Sequence, residues 1–503
     1  MNLWMFLSQA GRRYPENTAV IDDRTRLTYR ELAGRTDGLA AGLASWGVRK
    51  GDHAGILLRN CSQHVELIFA LLKLGAVCVP LNWRLTRADI RQCAEHADLD
   101  CLFSEQALAD LAPLGLERLG LTMCIDEQTP SGAATYEKLI AGASGPCPQA
   151  DTSPGDPAAI IYTAGTTASP KGVVLTHGNF LWNTLNYSDA YAMTPQDREL
   201  APSPLFHSST FGRIFTYVYN AAAFVLCRGF DPARTLELIA RERVTSLTQA
   251  PAMYRMMAAR ACSAQIYDTS SVRRAVSGAS ALTPQIRQEM QELFPRAAIY
   301  DLYGITEAAP GVSILSPEDF MAAPGSVGRP LLTVQVAIRG DDEGHLLPRG
   351  AQGEIVVRGP NITPGYYKNP AATALGLRDG WLHTGDLGMI DDGGYVFISG
   401  RKKELIISGG INIYPGEIEY MLEQHTAVAE AAVFGLPDGL WGEQAAAAIV
   451  LRQKRECTEQ ELASFCRERL AGYKCPKRFF FIKALPRNAA QKVLKNELVK
   501  NFT

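Results

Sequence analysis

Through the first 400 residues, strand-length apolar runs alternate with stretches whose apolar residues recur at helical spacing. Residues 53–58 (HAGILL) predict a strand, 62–75 (SQHVELIFALLKLG) a helix, and 76–82 (AVCVPLN) and 100–105 (DCLFSE) two more strands. The same rhythm returns at 158–164 (AAIIYTA), and at 220–230 (NAAAFVLCRGF) followed by a helix and the strand within 231–251. Strand–helix–strand order of this kind predicts parallel sheets covered by helices. Between about 325 and 400 the texture changes. Short β segments at 334–340, 353–360 and 394–400 stand between Gly, Pro and Asp turns, which predicts a smaller, mostly antiparallel unit. Beyond it come a helix at 415–425, strands at 430–436 and 444–451, a helix at 458–471 and a strand within 478–486.

The expected class is therefore α/β: a large N-terminal domain over 1–400, with layered αβα sheets and a β-rich subdomain, then a small α+β domain over 401–503. Length agrees, because 503 residues exceed what one hydrophobic core usually serves. A composition of 47% hydrophobic and 20% charged residues excludes extensive disorder. With a net charge of −2 there is no basic surplus for nucleic acid. No apolar stretch reaches membrane-spanning length, and the first twenty residues lack the basic start and cleavage site of a signal peptide. Eleven scattered cysteines, none spaced C-x-x-C, argue against a disulfide framework or zinc site and fit a reducing cytoplasm.

Candidate chemistry begins at 160–179, IIYTAGTTASPKGVVLTHGN. Lys171 follows Pro170, so this is not a Walker A loop. Thr163, Gly165, Thr166, Thr167, Ser169 and Lys171 nevertheless combine what a phosphate needs: close backbone approach, hydroxyl donors and a cation. A plain polar turn is the competing reading. Four other segments bear on the choice: YDLYGITEAAP (300–310), WLHTGDLG (381–388), GRKKELIISGGINIYPGEIE (400–419) and LPRNAAQKVLKNEL (485–498).

In their order and spacing these segments resemble the adenylate-forming superfamily of acyl-CoA synthetases, adenylation domains and firefly luciferases. The resemblance runs from LTYREL (27–32) to the C-terminus and is strongest to chlorobenzoate-type and medium- or long-chain fatty acyl-CoA ligases. It implies that ATP converts a carboxylic acid to acyl-AMP and pyrophosphate, and that the acyl group then passes to a thiol. Thr163, Gly165, Thr166, Thr167 and Lys171 would hold the β- and γ-phosphates. Thr306 would donate to a phosphate and Glu307 would help hold Mg²⁺. Tyr303 would lie against adenine, with Asp301 accepting from its amine and Gly278 allowing close approach. Asp386 would accept from both ribose hydroxyls, with Arg401 beside it. Lys492 would join the substrate carboxylate to the α-phosphate, and Lys403 would be the hinge for a mobile C-terminal domain. Gly409 and Gly410 would line the pantetheine tunnel, and Trp441, Tyr473 and Lys477, with Arg84 less directly, would meet coenzyme A. His207 would be either a gate between the ATP and acyl sites or an ordinary core histidine.

The acyl pocket matches Asn186, Ser208, Ser209, Thr248, Ala279, Leu302, Gly304, Ala308 and Ala309. Small and polar residues among these imply an aryl or medium-chain acid with polar substituents. Arg213 reads more readily as a surface arginine than as a partner for a second anionic group. Ala164 and Ala168 replace a serine and a glycine of the usual phosphate loop, and Ala489–Gln491 stand where Thr-x-Gly usually precedes the lysine. The alternative acceptor is a carrier-protein phosphopantetheine, which Trp441 and Lys477 weigh against. A silent nucleotide-binding homologue would not need Lys171, Thr306, Glu307, Asp386, Arg401 and Lys492 together, and nothing favours a luciferase.

Overall fold

The computed structural model describes residues 2–116, 119–125, 136–142, 148–163, 170–261, 267–340, 345–408, 411–452, 455–487 and 493–503. Two large sheets dominate them. A nine-stranded sheet is parallel through its middle, where Arg198–Ala201, Ser246–Gln249, Arg274–Gly278 and Ala298–Gly304 lie side by side. A seven-stranded sheet is parallel through His53–Leu57, Val77–Pro80, Cys101–Ser104 and Pro157–Thr163, the last of which turns back antiparallel onto Lys171–Thr176.

The two sheets share one layer of helices. Helix Ser62–Leu74 is buried at nearly every position, which its almost continuous apolar sequence requires. Phe69, Phe180, Phe211 and Phe215 join it in a core that also contains Val20 and Phe224 of one sheet and Ile56 and Ala159 of the other. Phe69 meets Phe215 edge-on at 5.8 Å between centroids, and losing such a ring typically costs about 3–5 kcal/mol. Separate clusters cover the outer faces, around Tyr254 and Phe294 on one sheet and Ile90 and Leu108 on the other. Local chemistry starts the helices where the pattern changes. Capping boxes pair Thr28 with Glu31, Thr176 with Asn179 and Thr458 with Glu461, while Pro232, Pro284 and Pro415 open theirs.

Strands Gln335–Arg339, Gly353–Arg358, Trp381–Ile390 and Val396–Arg401 form the antiparallel sheet that the turn-rich texture predicts. The chain leaves that sheet at Arg401, makes a short 3-10 turn over Lys402–Glu404 and enters a fourth sheet at Ile406. That last sheet is built on the long antiparallel pair Val428–Asp438 and Gly442–Leu451, with Arg478–Phe481 parallel at one edge. No helix among the described residues is long and apolar enough to cross a membrane.

Candidate active site

The site lies where parallel strands of the nine-stranded sheet end, the side on which open α/β sheets expose their loops to ligands. Strand Ala298–Gly304 delivers Asp301, Leu302 and Tyr303 to the rim, and Thr306 and Glu307 follow in a 3-10 turn. The neighbouring strand ends at Gly278, where a Cβ would come 3.1 Å from the Leu302 carbonyl oxygen. At Gly304 a Cβ would sit 2.3 Å from the Pro310 carbonyl, so no side chain fits.

From the antiparallel sheet, Asp386 faces this rim. Tyr303 donates from its hydroxyl to Asp386 Oδ2 at 2.6 Å, and Arg401 Nε stands 3.1 Å from Oδ1. Arg401 is the residue directly opposite Asp386 in the strand pair, so sheet register sets that contact. Burial pushes the Tyr303 phenol well above its ordinary range, and the Asp386 charge adds to the shift. Burial likewise pushes the Asp301 carboxyl up to about 7. These residues line a cavity of about 500 Å³, together with Ala279, Leu282 and Gly325 from the N-terminal side and Glu417, Tyr420 and Lys495 from the C-terminal side.

Thr163 and Lys171 face each other across the hairpin that carries the candidate phosphate loop. Residues 164–169 between them, including Gly165, Thr166 and Thr167, lie outside the described residues, as do Gly409, Gly410 and Lys492. Lys171 Nζ lies 5.9 Å from the centre of the Tyr366 ring, and Tyr366 donates to Glu307 Oε1 at 2.8 Å. One carboxylate oxygen of Glu307 is thus held while the other has no hydrogen-bond partner among the described residues, which suits a hard cation. The Lys403 ammonium is shifted down, first by burial and then by Arg401, with Lys171 among its other neighbours. Lys171, Arg401 and Lys403 therefore gather positive charge beside Asp386, a field that suits a polyphosphate.

On the acyl side, Ser208 and Thr306 hydroxyls meet at 3.0 Å. His207 caps the same helix, its ring 4.4 Å from that of Phe206, and burial with help from Arg84 pulls its pKa to about 4. Ala279, Leu302 and Gly304 line the cavity, and Ala308 and Ala309 are buried beside it. Thr248 lies in the strand next to Gly278's, while Asn186 is committed elsewhere: its Oδ1 accepts from the Thr333 amide and hydroxyl at 3.1 and 2.9 Å. One helical turn earlier, Asn183 is also buried. Its Oδ1 accepts from Gly311 at 3.0 Å, and its Nδ2 lies 3.7 Å from where a Gly212 Cβ would be.

Arg213 corrects the reading as a surface residue. It is 3% exposed, donates to Ser209 Oγ at 2.6 Å and stands 3.1 Å from Glu199 Oε1. Glu199, fully buried, accepts in turn from the Tyr217 hydroxyl at 2.6 Å. The apolar helix hid this pair, since Glu199 is distant in sequence and only packing brings it under Arg213. Trp441, Tyr473 and Lys477 are exposed in turns of the C-terminal region and outside the cavity, with Trp441 56% exposed. Arg84 packs over the Trp83 ring at 5.0 Å.

The AMP-binding enzyme family model matches residues 7–367, and that of the AMP-binding enzyme C-terminal domain matches 417–492. The chain belongs to this family and is an adenylate-forming acid–thiol ligase. It is 37% identical to the feruloyl-CoA synthase of an Amycolatopsis species, over 98% of this chain and 97% of that one. It is 35% identical to the indoleacetate–CoA ligase of Aromatoleum aromaticum, over 99% and 98%. The solved o-succinylbenzoate CoA synthetase of Bacillus subtilis, in complex with the acyl-adenylate OSB-AMP, superposes with a TM-score of 0.84 at 32% identity, covering 99% of this chain and 98% of that one. That synthetase has also been solved with ATP and a magnesium ion.

Proposed function

We propose that this ligase activates an aryl acid bearing a polar substituent and passes it, through the acyl-adenylate, to coenzyme A. The observation that carries the substrate reading is a buried donor on helix Ser208–Tyr219, whose first residue meets Thr306. Arg213 Nη2 is enclosed and reaches no hydrogen-bond partner among the described residues. An unpaired buried donor costs about 1–3 kcal/mol, and a substrate oxygen would recover it. A plain hydrocarbon tail would not. The relatives support the aryl class and the acceptor, since those named above are CoA ligases or synthases of feruloyl, indoleacetate and succinylbenzoate groups. A carrier protein as acceptor has no such support.

In this reading ATP lies with its adenine between Tyr303 and the Gly278–Ala279 turn and its ribose on Asp386. Its phosphates run toward Lys171 and Thr306, and Glu307 takes Mg²⁺. Asp301 accepts from the adenine amine. Lys492 bridges the acid and the α-phosphate for attack. The small domain, from residue 401 onward, then reorients about Lys403 so that Gly409 and Gly410 admit the pantetheine thiol past Trp441 and Lys477. The cations at the site serve the first step, in which two anions must meet. The test is acid-dependent pyrophosphate release across aryl, fatty, hydroxy, amino and dicarboxylic acids, with and without CoA. Thioester formation from oxygen-substituted aryl acids is the expected result. Equal turnover of plain octanoate and benzoate would overturn the substrate class, and release indifferent to CoA would overturn the acceptor.

A further inference from the structure

Away from the reacting groups, one contact joins the body of the molecule to the C-terminal sheet. Arg255, on helix Pro251–Ala261, donates from Nη1 to the Ala429 carbonyl at 3.0 Å. The same guanidinium stands 3.5 Å from Glu289 Oε2 on the next helix and 3.8 Å from Glu430 Oε1 on strand Val428–Asp438. Arg487 holds Glu430 from the other side at 2.8 Å. Glu423 and Arg452 complete the ring of charges that Arg255 feels. Arg255 is thus shared between a carboxylate of the N-terminal domain and a carboxylate and a carbonyl of the small one.

The pose in which this contact exists matters for the chemistry. Arg487 and Val493 flank the segment that carries Lys492, and both line the cavity that contains Tyr303 and Asp386. Ile407, Ile411, Leu440 and Trp441, on the side of the small domain that carries the candidate CoA residues, are exposed at the same time. In the function proposed above, this arrangement serves adenylation rather than thioester transfer. We propose that Arg255 is a positioning residue for the first half-reaction: it holds the C-terminal domain in the adenylation pose, and its release accompanies the turn toward thioester transfer. The inference rests on the function proposed above.

A contact present in only one of two poses biases their balance by its own free energy. For a partly exposed, shared ion pair and one carbonyl bond, the expected bias is about three- to tenfold. Arg255→Met keeps the aliphatic stem and removes the charge. In the full-length protein, single-turnover pyrophosphate release from acid and ATP without CoA should slow by that factor. Thioester formation from a synthetic acyl-adenylate and CoA should be unchanged or faster, and Arg255→Lys should restore part of the first step. Tryptic cleavage at Lys402–Lys403 should quicken in Arg255→Met. Equal half-reaction rates and equal cleavage would overturn the proposal. So would parallel slowing of both steps with a lowered melting temperature, which marks a merely structural role. If the wild type releases no pyrophosphate with any acid, the proposed function fails, and the cleavage comparison still decides whether Arg255 holds the domain.

Discussion

Tyr303 and Asp386 come from different sheets and 83 residues apart, yet the phenol donates to the carboxylate at 2.6 Å in a buried contact. With Arg401 at 3.1 Å on the other oxygen, Asp386 is oriented before any nucleotide arrives. Tyr303→Phe removes one charge-assisted hydrogen bond, worth about 1.5–3 kcal/mol. Affinity for AMP and ATP should fall about tenfold or more by calorimetry, with the folded structure intact. An unchanged affinity would mean that Asp386 does not bear on the nucleotide. Asp386→Asn should cost more, because the amide cannot accept from two ribose hydroxyls at once.

Asp301 yields a prediction with a definite sign. Its carboxyl is raised by burial from 3.8 to about 7. A group raised in the folded state binds a proton that the unfolded chain has lost, so stability declines as pH rises from about 4 to 7 and is level above. Three pKa units correspond to about 4 kcal/mol. Asp301→Asn keeps an acceptor for an adenine amine and removes the ionisation. The variant should therefore gain stability over the wild type at pH 8, relative to pH 5, in urea unfolding. A stability difference independent of pH would show that the carboxyl does not titrate in this range.

Glu307 carries a third expectation. Tyr366 fixes one of its oxygens at 2.8 Å, leaving the other for a cation. Glu307→Gln replaces a charged oxygen ligand by a neutral one, so half-maximal adenylation should require about tenfold more Mg²⁺. Tyr366→Phe, which only frees the carboxylate, should have a smaller effect in the same direction. A Mg²⁺ dependence identical in Glu307→Gln and wild type would remove Glu307 from the metal site.

The parts of this molecule that were legible in the sequence were those written locally. Strands such as 53–57 and helices such as Ser62–Leu74 announce themselves through period and through their caps. Tyr303, Thr306, Glu307 and Asp386 stand out in the sequence because their motifs are contiguous, and folding brings Tyr303 and Asp386 into contact. What stayed hidden depends on side-chain direction and long-range packing. Asn183 and Asn186 lie one turn apart, and only the packed chain shows that one accepts from Gly311 and the other from Thr333. Arg213 looked solvent-exposed because nothing near it in sequence advertises Glu199. The shared helix layer between the two large sheets was also invisible, since strand order is a property of the assembled chain.

His207 separates the two roles that its sequence position allows. Burial, with Arg84 nearby, lowers its pKa to about 4, and burial does the same to His64 and His177. All three are neutral at pH 7, so a gate at His207 would work by ring position and hydrogen bonding rather than by charge. The pH profile of adenylation should show no inflection near 6.5 from this residue. Stability behaves differently. A histidine lowered in the folded state leaves the unfolded chain with the extra proton, so stability falls as pH drops from about 6.5 to 4. Each group contributes up to about 3 kcal/mol over that window. His207→Asn should therefore lose less stability than the wild type between pH 7 and pH 5. An acid slope unchanged in His207→Asn would show that burial does not lower the pKa of His207.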